Sequence, residues 1–118
     1  MQDKLLTIVV PTYNISGYIE KCIHSFLAVN EKYYKDFEVI VVNDGSTDNS
    51  VRVVENLIIE SDLDLRIISK ENGGHGSTIN VGINEAKGKY FKVIDGDDWI
   101  DSSSFETLLE KLKTIDVD

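Results

Sequence analysis

The chain has 118 residues and carries 21 acidic against 12 basic side chains, which gives a formal net charge of −9. This length corresponds to one domain or part of one, and the 42% of hydrophobic residues is enough to bury a core. The acidic balance argues against a nucleic-acid or anionic-membrane binder, because such proteins present a basic surface. Cys22 is the single cysteine, which excludes an internal disulfide and a multi-cysteine metal site. Its position in an apolar-periodic segment favours a packed thiol.

The sequence contains no segment that predicts membrane insertion. No apolar run approaches the ~18 residues that indicate a membrane helix, and residues 1–4 show no secretory signal. We therefore expect a cytoplasmic location, with peripheral contact to the cytoplasmic face of a membrane as an alternative.

The first half of the chain alternates between apolar runs and amphipathic stretches. The pattern predicts, in this order, a strand at residues 5–10, a helix at 15–29, a strand at 37–42 and a helix with Val51, Val54, Leu57 and Ile58 on one face. Pro11 is expected to end the first strand. The expected helix caps are Asn14 or Ser16, and then Ser46, Thr47 or Asp48.

The second half continues the alternation. It predicts, in this order, a strand at residues 63–69, a flexible loop at 72–76, a short helix at 77–86, a buried strand at 90–94 and a last helix with Phe105, Leu108, Leu109 and Leu112 inward. Gly88 is expected to cap the third helix at its C-terminus, and Ser102 or Ser103 the fourth at its N-terminus.

This β-α-β-α-β-α-β-α order predicts an α/β fold with a parallel sheet of about four strands and helices on both faces. The expected strand order is 3-2-1-4. Ligands of such sheets bind beyond the carboxyl ends of the strands where the order reverses, here between strands 1 and 4. The crevice predicted there brings together the loops at residues 11–14, 43–46 and 95–98.

Three carboxylates lie within the four residues that follow the fourth predicted strand. Two of them, Asp95 and Asp97, flank Gly96 and can reach a single ion. A calcium-binding EF-hand is excluded, because its fifth and sixth positions would be Trp99 and Ile100 instead of an oxygen ligand and a glycine. A site for Mg²⁺ or Mn²⁺ fits better, since these ions use one or two carboxylates together with substrate phosphates and water.

Other polar residues near this edge have both a structural and a functional explanation. Asp98 and Asp101 can cap the final helix or lie in a solvated turn. Asp44 can support a turn at Gly45 or accept a hydrogen bond from the N–H of a nucleobase imide. Its place in the predicted crevice favours the second explanation. Residues 12–14 can either end a strand and cap a helix or offer a hydroxyl, an aromatic ring and an amide to a ligand.

The glycine-rich loop at residues 72–76 can let backbone N–H groups approach a phosphate beside a helix N-terminus. It does not match the dinucleotide fingerprint, which belongs after the first strand, or a P-loop. His75 in this loop is equally compatible with solvent exposure and with a ligand contact. His24 on the first helix is expected to be a surface or partly packed residue.

Four motifs, taken together, resemble family 2 glycosyltransferases of the GT-A fold. They lie at residues 11–14, at 41–48, at Asn72-x-Gly74 with Asn80 downstream, and at 95–99. The resemblance covers residues 5 to 112 approximately and implies a Rossmann-like GT-A half-domain. It further implies an inverting, hexosyltransferase-type transfer from a nucleotide-diphosphate sugar, most often a UDP-sugar, to an acceptor hydroxyl, as in polysaccharide biosynthesis.

The resemblance also implies roles for individual residues. The nucleotide-sugar site would comprise Thr12, Tyr13, Asn14, Asp44, Asn72, Gly74, Asp95 and Gly96. Residues 95–97 would form a DxD motif, in which Asp97 would ligate Mn²⁺ or Mg²⁺ with Asp95 beside it. The ion would bridge the diphosphate and neutralise charge on the leaving group. The implied partners are the sugar donor and a glycan, lipid-linked or protein acceptor.

The sequence departs from the family pattern in two ways. Ile79 stands where the family often has an arginine, so one phosphate or base contact is missing, and His75 can replace part of it. The family domain also continues beyond this length, and its general base is expected beyond Asp118. We therefore expect residues 1–118 to be the donor-binding part, truncated before the acceptor-binding half and inactive alone. The surface left uncovered beyond the fourth strand is expected to favour homo-oligomers.

Two other functions are compatible with parts of the sequence. A non-catalytic module that binds a nucleotide or a metal is the main alternative, because the general base is missing from these residues. A nucleotidyltransferase ranks lower, because such enzymes carry a glycine-rich basic loop after the first strand.

Overall fold

Four parallel strands form one sheet in the computed structural model, which describes residues 4–115. The strands are β1 (Lys4–Thr12), β2 (Phe37–Asp44), β3 (Leu65–Lys70) and β4 (Gly88–Val93). Their order is β3-β2-β1-β4, so the predicted order 3-2-1-4 is confirmed. The helices are α1 (Ser16–Leu27), α2 (Ser50–Glu60), α3 (His75–Glu85) and α4 (Ser102–Ile115), with a short 3₁₀ helix at Glu31–Asp36 that the sequence did not predict.

The helices lie on both faces of the sheet and cover two cores of unequal size. The larger core joins the sheet to α1, α2 and α4, and in it Phe105 meets two other phenylalanines edge to face. The ring of Phe105 lies 5.7 Å from that of Phe26 and 4.9 Å from that of Phe37, centroid to centroid. The smaller core consists of Val9, Ile40 and Val42 beneath α3. The largely apolar sequences of β1 and β2 therefore follow from burial on both sides.

Several predicted element boundaries were wrong, and each has a local reason. β1 continues through Pro11 to Thr12, because the prolyl residue still pairs in register with Val42 of β2. Gly88 does not cap α3 but begins β4, where a Cβ would come within 2.6 Å of the Thr7 backbone nitrogen. α3 begins at His75, two residues earlier than expected.

The predicted N-caps were wrong for α1, whereas at α4 one of the predicted alternatives, Asp101, accepts the capping hydrogen bonds in place of Ser102 or Ser103. Neither Asn14 nor Ser16 caps α1 with its side chain, because Asp48 of the next loop accepts from the Ser16 N–H at 3.1 Å instead. At α4 the acceptor is Asp101, which takes hydrogen bonds from the N–H and the hydroxyl of Ser104 at 3.0 and 2.8 Å. These bonds lower the pKa of Asp101.

A buried glutamate joins three strands at the amino end of the sheet. The Glu38 side chain is fully buried, and its Oε2 accepts from the Thr7 hydroxyl and from the Lys87 N–H, both at 2.6 Å. The Thr7 oxygen in turn accepts from the Gly88 N–H at 2.9 Å, and Arg66 Nη2 lies 3.7 Å from Glu38 Oε1. This network anchors the start of β4 and so fixes where the loop after β4 emerges.

The strand β4 is less buried than predicted. It pairs only with β1 among residues 4–115, and Phe91 remains 51% exposed. Lys92 is exposed as well. The expectation of a fully buried strand was therefore wrong, because β4 forms an edge of the described sheet.

Helix α3 packs on β1 through a glycine. A Cβ at Gly82 would overlap Cγ1 of Val9 and lie 2.8 Å from its Cγ2. Val9 is fully buried, and a β-branched side chain has little freedom to rotate away. The close approach of α3 to the sheet therefore depends on the missing side chain.

We expect Gly82→Ala to destabilise the chain by about 1–3 kcal/mol, because overpacking a closed core outweighs the gain of ~1 kcal/mol in helix propensity. Urea unfolding followed by circular dichroism measures this change. Gly76→Ala is the matched control in the same helix, because a Cβ there meets nothing within 4 Å. Equal stability of the two variants would contradict this packing.

Candidate functional site

A cleft of about 430 Å³ opens at the carboxyl ends of β1, β2 and β4. It lies where the strand order reverses, as the sequence predicted. The lining residues come from four separate loops and the start of α3: Pro11, Thr12, Tyr13, Ile15, Asp44, Asn72, Gly74, His75, Thr78, Asp95, Gly96 and Asp97. Most of the predicted site residues therefore meet in one concave space.

The acidic loop is fixed to the end of β1 by its backbone. The Gly96 N–H donates to the Pro11 carbonyl at 3.1 Å, and the Asp98 N–H donates to the Asp95 carbonyl at 2.9 Å. Gly96 is buried, and a Cβ there would overlap the end of the Ile15 side chain. The glycine therefore turns inward, whereas Asp95, Asp97 and Asp98 around it are exposed to solvent.

These three aspartates form a cluster suited to a divalent cation. Asp95, Asp97 and Asp98 each offer one carboxylate oxygen, and the three oxygens lie within 4.8 Å of one another. An octahedral Mg²⁺ or Mn²⁺ sphere with bonds of ~2.0–2.1 Å places its oxygens roughly 3–4 Å apart, so small side-chain rotations suffice. Solvent exposure leaves room for water and a ligand oxygen. The residues therefore fit the ion, and Asp98 joins the predicted pair in the cluster.

Asp44 is buried at the end of β2 and holds the glycine loop. Its Oδ1 accepts from the Gly73 N–H at 2.8 Å and from Lys70 Nζ at 3.0 Å, while Oδ2 accepts from the Gly74 N–H at 3.0 Å. The Asn72 amide also donates to the Asp44 carbonyl at 3.1 Å. The Gly73 bond first, and then Lys70, lower the pKa of Asp44. The carboxylate stays ionised, and Oδ2 retains capacity for a further donor.

The three residues after Pro11 have different surroundings. Thr12 is buried and its hydroxyl donates to the Val10 carbonyl at 3.2 Å, whereas Tyr13 is 50% exposed and free to meet a flat ligand. The Asn14 side chain is engaged elsewhere, since its amide oxygen accepts from the Thr47 N–H at 2.8 Å. Asn14 supports the loop after β2, and its predicted contact with a ligand stays a prediction.

The sequence did not single out Ile15 and Thr78 as cleft residues. Ile15 precedes α1 and covers Gly96, and Thr78 lies one turn into α3 with its hydroxyl donating to the Gly74 carbonyl at 2.8 Å. Their places in the cleft follow directly from the positions of the predicted loops. The side-chain chemistry of neither residue indicates a ligand site. His75 faces the acidic loop, with Nε2 3.8 Å from Asp95 Oδ1.

Cys22 lies beneath the acidic loop and is chemically quiet. The residue is fully buried, and its thiol faces the Asp95 carbonyl at 3.9 Å. Burial first, and then the carboxylates of Asp98, Asp97 and Asp95, raise the pKa of the thiol to about 12. The protonated thiol is a poor nucleophile and a poor metal ligand, so the expected packed cysteine is confirmed.

The acids of α4 lie away from the cleft. Glu106 is half-buried and Glu110 is exposed, and both accept hydrogen bonds from the segment before β2. Glu106 accepts from the Asn30 N–H at 2.8 Å, and Glu110 accepts from the Tyr33 hydroxyl at 2.7 Å. The hydrogen bond to Glu110 raises the pKa of Tyr33 to about 12. Both glutamates therefore help to hold α4 against the segment before β2.

The sheet and its cleft define a Rossmann-like α/β domain with a ligand site at its topological switch point. The sequence model described as "Glycosyl transferase family 2" matches residues 7–118. The chain therefore belongs to glycosyl transferase family 2, which confirms the resemblance found in its motifs. No helix within residues 4–115 is both long and apolar enough to cross a membrane.

The chain is similar to parts of longer glycosyltransferases. It is 39% identical to glycosyltransferase GlyA of Streptococcus pneumoniae over 112 residues, which cover 93% of this chain and 15% of GlyA. It is also 39% identical to glycosyltransferase EpsJ of Bacillus subtilis over 114 residues, which cover 97% of this chain and 32% of EpsJ. The chain thus spans about a third or less of either relative.

Solved structures share the fold. S. aureus TarS 1-349 in complex with UDP-GlcNAc aligns with a TM-score of 0.83 at 29% identity, over 93% of this chain and 31% of that one. The mannosyltransferase PcManGT from Pyrobaculum calidifontis, in complex with GDP-Man and Mn²⁺, aligns with a TM-score of 0.80 at 27% identity, over 95% and 32%. These alignments confirm the predicted GT-A-type fold.

We expect Asp44→Asn to loosen the glycine loop, because an amide cannot accept from both Gly73 and Gly74 while facing Lys70. Amide exchange measured by NMR should be about tenfold faster at Gly73 and Gly74 in the variant, as for loss of a charge-assisted hydrogen bond. In the wild type, the lowered pKa keeps Asp44 ionised at neutral pH, so the protection of the Gly73 and Gly74 amides from exchange holds there. It should be lost only as the pH falls below the ordinary aspartate value of 3.8. Glu71→Gln, which removes a neighbouring exposed charge, is the control; unchanged exchange in Asp44→Asn would refute this role.

Proposed function

We propose that this chain carries the donor site of a metal-dependent glycosyltransferase that uses a nucleotide-diphosphate sugar, and specifically a UDP-sugar. The observation that carries the proposal is the meeting of Asp44, the glycine loop and the acidic cluster around one cleft at the switch point. TarS, which aligns over 93% of the chain, is known in complex with UDP-GlcNAc.

The walls of the cleft suit the two ends of such a donor. Tyr13 offers an exposed ring and Asp44 a buried carboxylate with remaining acceptor capacity, which matches the flat face and the imide N–H of uracil. Asn72 and Gly74 contact Asp44 and line the same cleft as the acidic cluster. We therefore propose that the base lies towards Asp44 and the diphosphate towards Asp97.

The acidic cluster is proposed to hold Mn²⁺ or Mg²⁺ through Asp97 and Asp95, with Asp98 as a further oxygen donor. PcManGT, a structural neighbour, is known with Mn²⁺ and a nucleotide sugar. When bound, such an ion neutralises negative charge on the leaving diphosphate. The aspartates themselves position the ion and, without it, would repel an anionic ligand.

The transfer itself is proposed to be inverting and of the hexosyl type, in the assembly of a polysaccharide or related glycan. The glycan, lipid-linked or protein nature of the acceptor, the general base beyond Asp118 and a cytoplasmic location stay predictions from the sequence. The same holds for the division of the domain after residue 118 and for self-association.

The donor site predicts metal-dependent nucleotide binding. UDP titrated calorimetrically into the chain should bind in the presence of Mn²⁺, and Asp97→Asn should weaken this binding by about tenfold or more, equivalent to at least ~1.4 kcal/mol. The variant should unfold at the same or a higher temperature, because removing one of three clustered charges relieves repulsion.

The control is Asp62→Asn, the same substitution at an exposed aspartate before β3. It should bind UDP like the wild type. Absence of UDP binding by the wild type with Mn²⁺, or equal binding by Asp97→Asn, would remove the basis for the donor site.

A non-catalytic binding module is the second candidate, because every carboxylate that lines the cleft is already committed to the glycine loop or the acidic cluster. No lining acid among residues 4–115 is left to activate an acceptor. A transfer assay with UDP-sugars on the chain separates the two: turnover by residues 1–118 alone would exclude the module.

A further inference from the structure

The cleft has a marked imbalance of charge. Three of its lining residues are aspartates: Asp44, Asp95 and Asp97. His75 is the one lining residue among residues 4–115 whose side chain can carry a positive charge. Lys70 lies nearby, but its ammonium group is held by the Asp44 carboxylate at 3.0 Å and by the Glu71 carbonyl at 2.6 Å.

The imidazole stands at the mouth of the cleft between two loops. Its Nε2 lies 3.8 Å from Asp95 Oδ1, beyond ordinary hydrogen-bond distance, and its side chain is 61% exposed. An imidazole that held the two loops together would be buried or tightly hydrogen-bonded. The distance and the exposure of His75 therefore argue against a purely structural role. The ring can therefore turn towards a ligand without breaking a strong bond.

The helix that begins at His75 offers no other cation. α3 contains neither lysine nor arginine, and Ile79 occupies the place one turn after His75. Gly74 precedes the helix with a φ of +94° and provides no side-chain cap, so the first N–H groups of α3 lack a side-chain acceptor. These donors and the imidazole belong to the same end of α3, and the imidazole faces the acidic loop.

We propose that His75 binds the diphosphate of the sugar donor directly, beside the metal-binding aspartates. This inference rests on the proposed donor site and names a residue that distinguishes a nucleoside diphosphate from the bare nucleoside. The imidazole donates through Nε2 in its neutral Nε2–H tautomer as well as in its charged form. A phosphate oxygen between His75 and the ion would also bridge α3 to the acidic loop.

The test compares UDP with uridine, both in the presence of Mn²⁺ or, for NMR, Mg²⁺. Affinities are measured by NMR titration for the wild type, His75→Ala and His75→Gln. We expect His75→Ala to weaken UDP binding about tenfold, as for loss of a hydrogen bond to a charged group. Uridine affinity should not change, and His75→Gln, which keeps an N–H donor, should recover part of the loss.

His24→Ala is the control, because His24 is an exposed imidazole on α1 outside the cleft lining. Equal UDP affinity for His75→Ala and the wild type would overturn the inference while leaving the donor site intact. An equal loss for UDP and uridine would also overturn it, since His75 would then only shape the loop. If the wild type binds no UDP, the donor site itself fails and the inference fails with it.

Discussion

The hydrogen bond from the Gly96 N–H to the Pro11 carbonyl is the interaction on which the site depends. It extends the pairing of β4 with β1 past the last residue of β4 and fixes the acidic loop to the end of β1. Because Ile15 fills the space beside Gly96, the loop must turn inward there, and the flanking aspartates must point outward. Backbone pairing and packing thus hold three carboxylates together despite their mutual repulsion.

The opposite wall of the cleft depends on a buried carboxylate. Asp44 receives two backbone N–H groups of the glycine loop and the ammonium group of Lys70, so its charge is balanced within the fold. Within residues 4–115 the acidic cluster has no such balance apart from the imidazole of His75, whose Nε2 lies 3.8 Å from Asp95 Oδ1. One acid therefore builds the site, whereas the others remain available for a cation and its anionic ligand. This division of roles is the physical basis of the proposed metal-assisted nucleotide site in a chain with a net charge of −9.

The strand order and the meeting of the loops could be predicted because they depend on features that sequence displays directly. Continuous apolar runs and alternation with helices imply a parallel sheet, and the reversal between β1 and β4 groups the loops at its edge. The cap of α1 could not be predicted in the same way. Asp48 caps α1 across a loop, and this choice depends on how β1 and β2 are placed side by side.

The buried glutamate shows the same limit. Glu38 is a polar residue in an otherwise apolar run of the sequence. Its partners Thr7 and Lys87 lie 31 and 49 residues away along the chain. The predicted strand order placed β4 at an edge, but local pattern could not show how exposed it is, since Phe91 and Val93 have the composition of a buried strand. Asp98 was harder to assign than Asp97 because only the turn closed by its own N–H brings it into the cluster.

The most direct test of a metal-assisted nucleotide site is to locate the ion on the chain. Amide NMR spectra of the ¹⁵N-labelled protein with UDP would be recorded during addition of small amounts of Mn²⁺, with Mg²⁺ as the diamagnetic reference. The account predicts that signals of residues 95–98 broaden first, followed by those of Thr12 and His75 across the cleft. Broadening centred on another acidic segment, such as Glu106 and Glu110 of α4, or spread evenly over the chain, would contradict it.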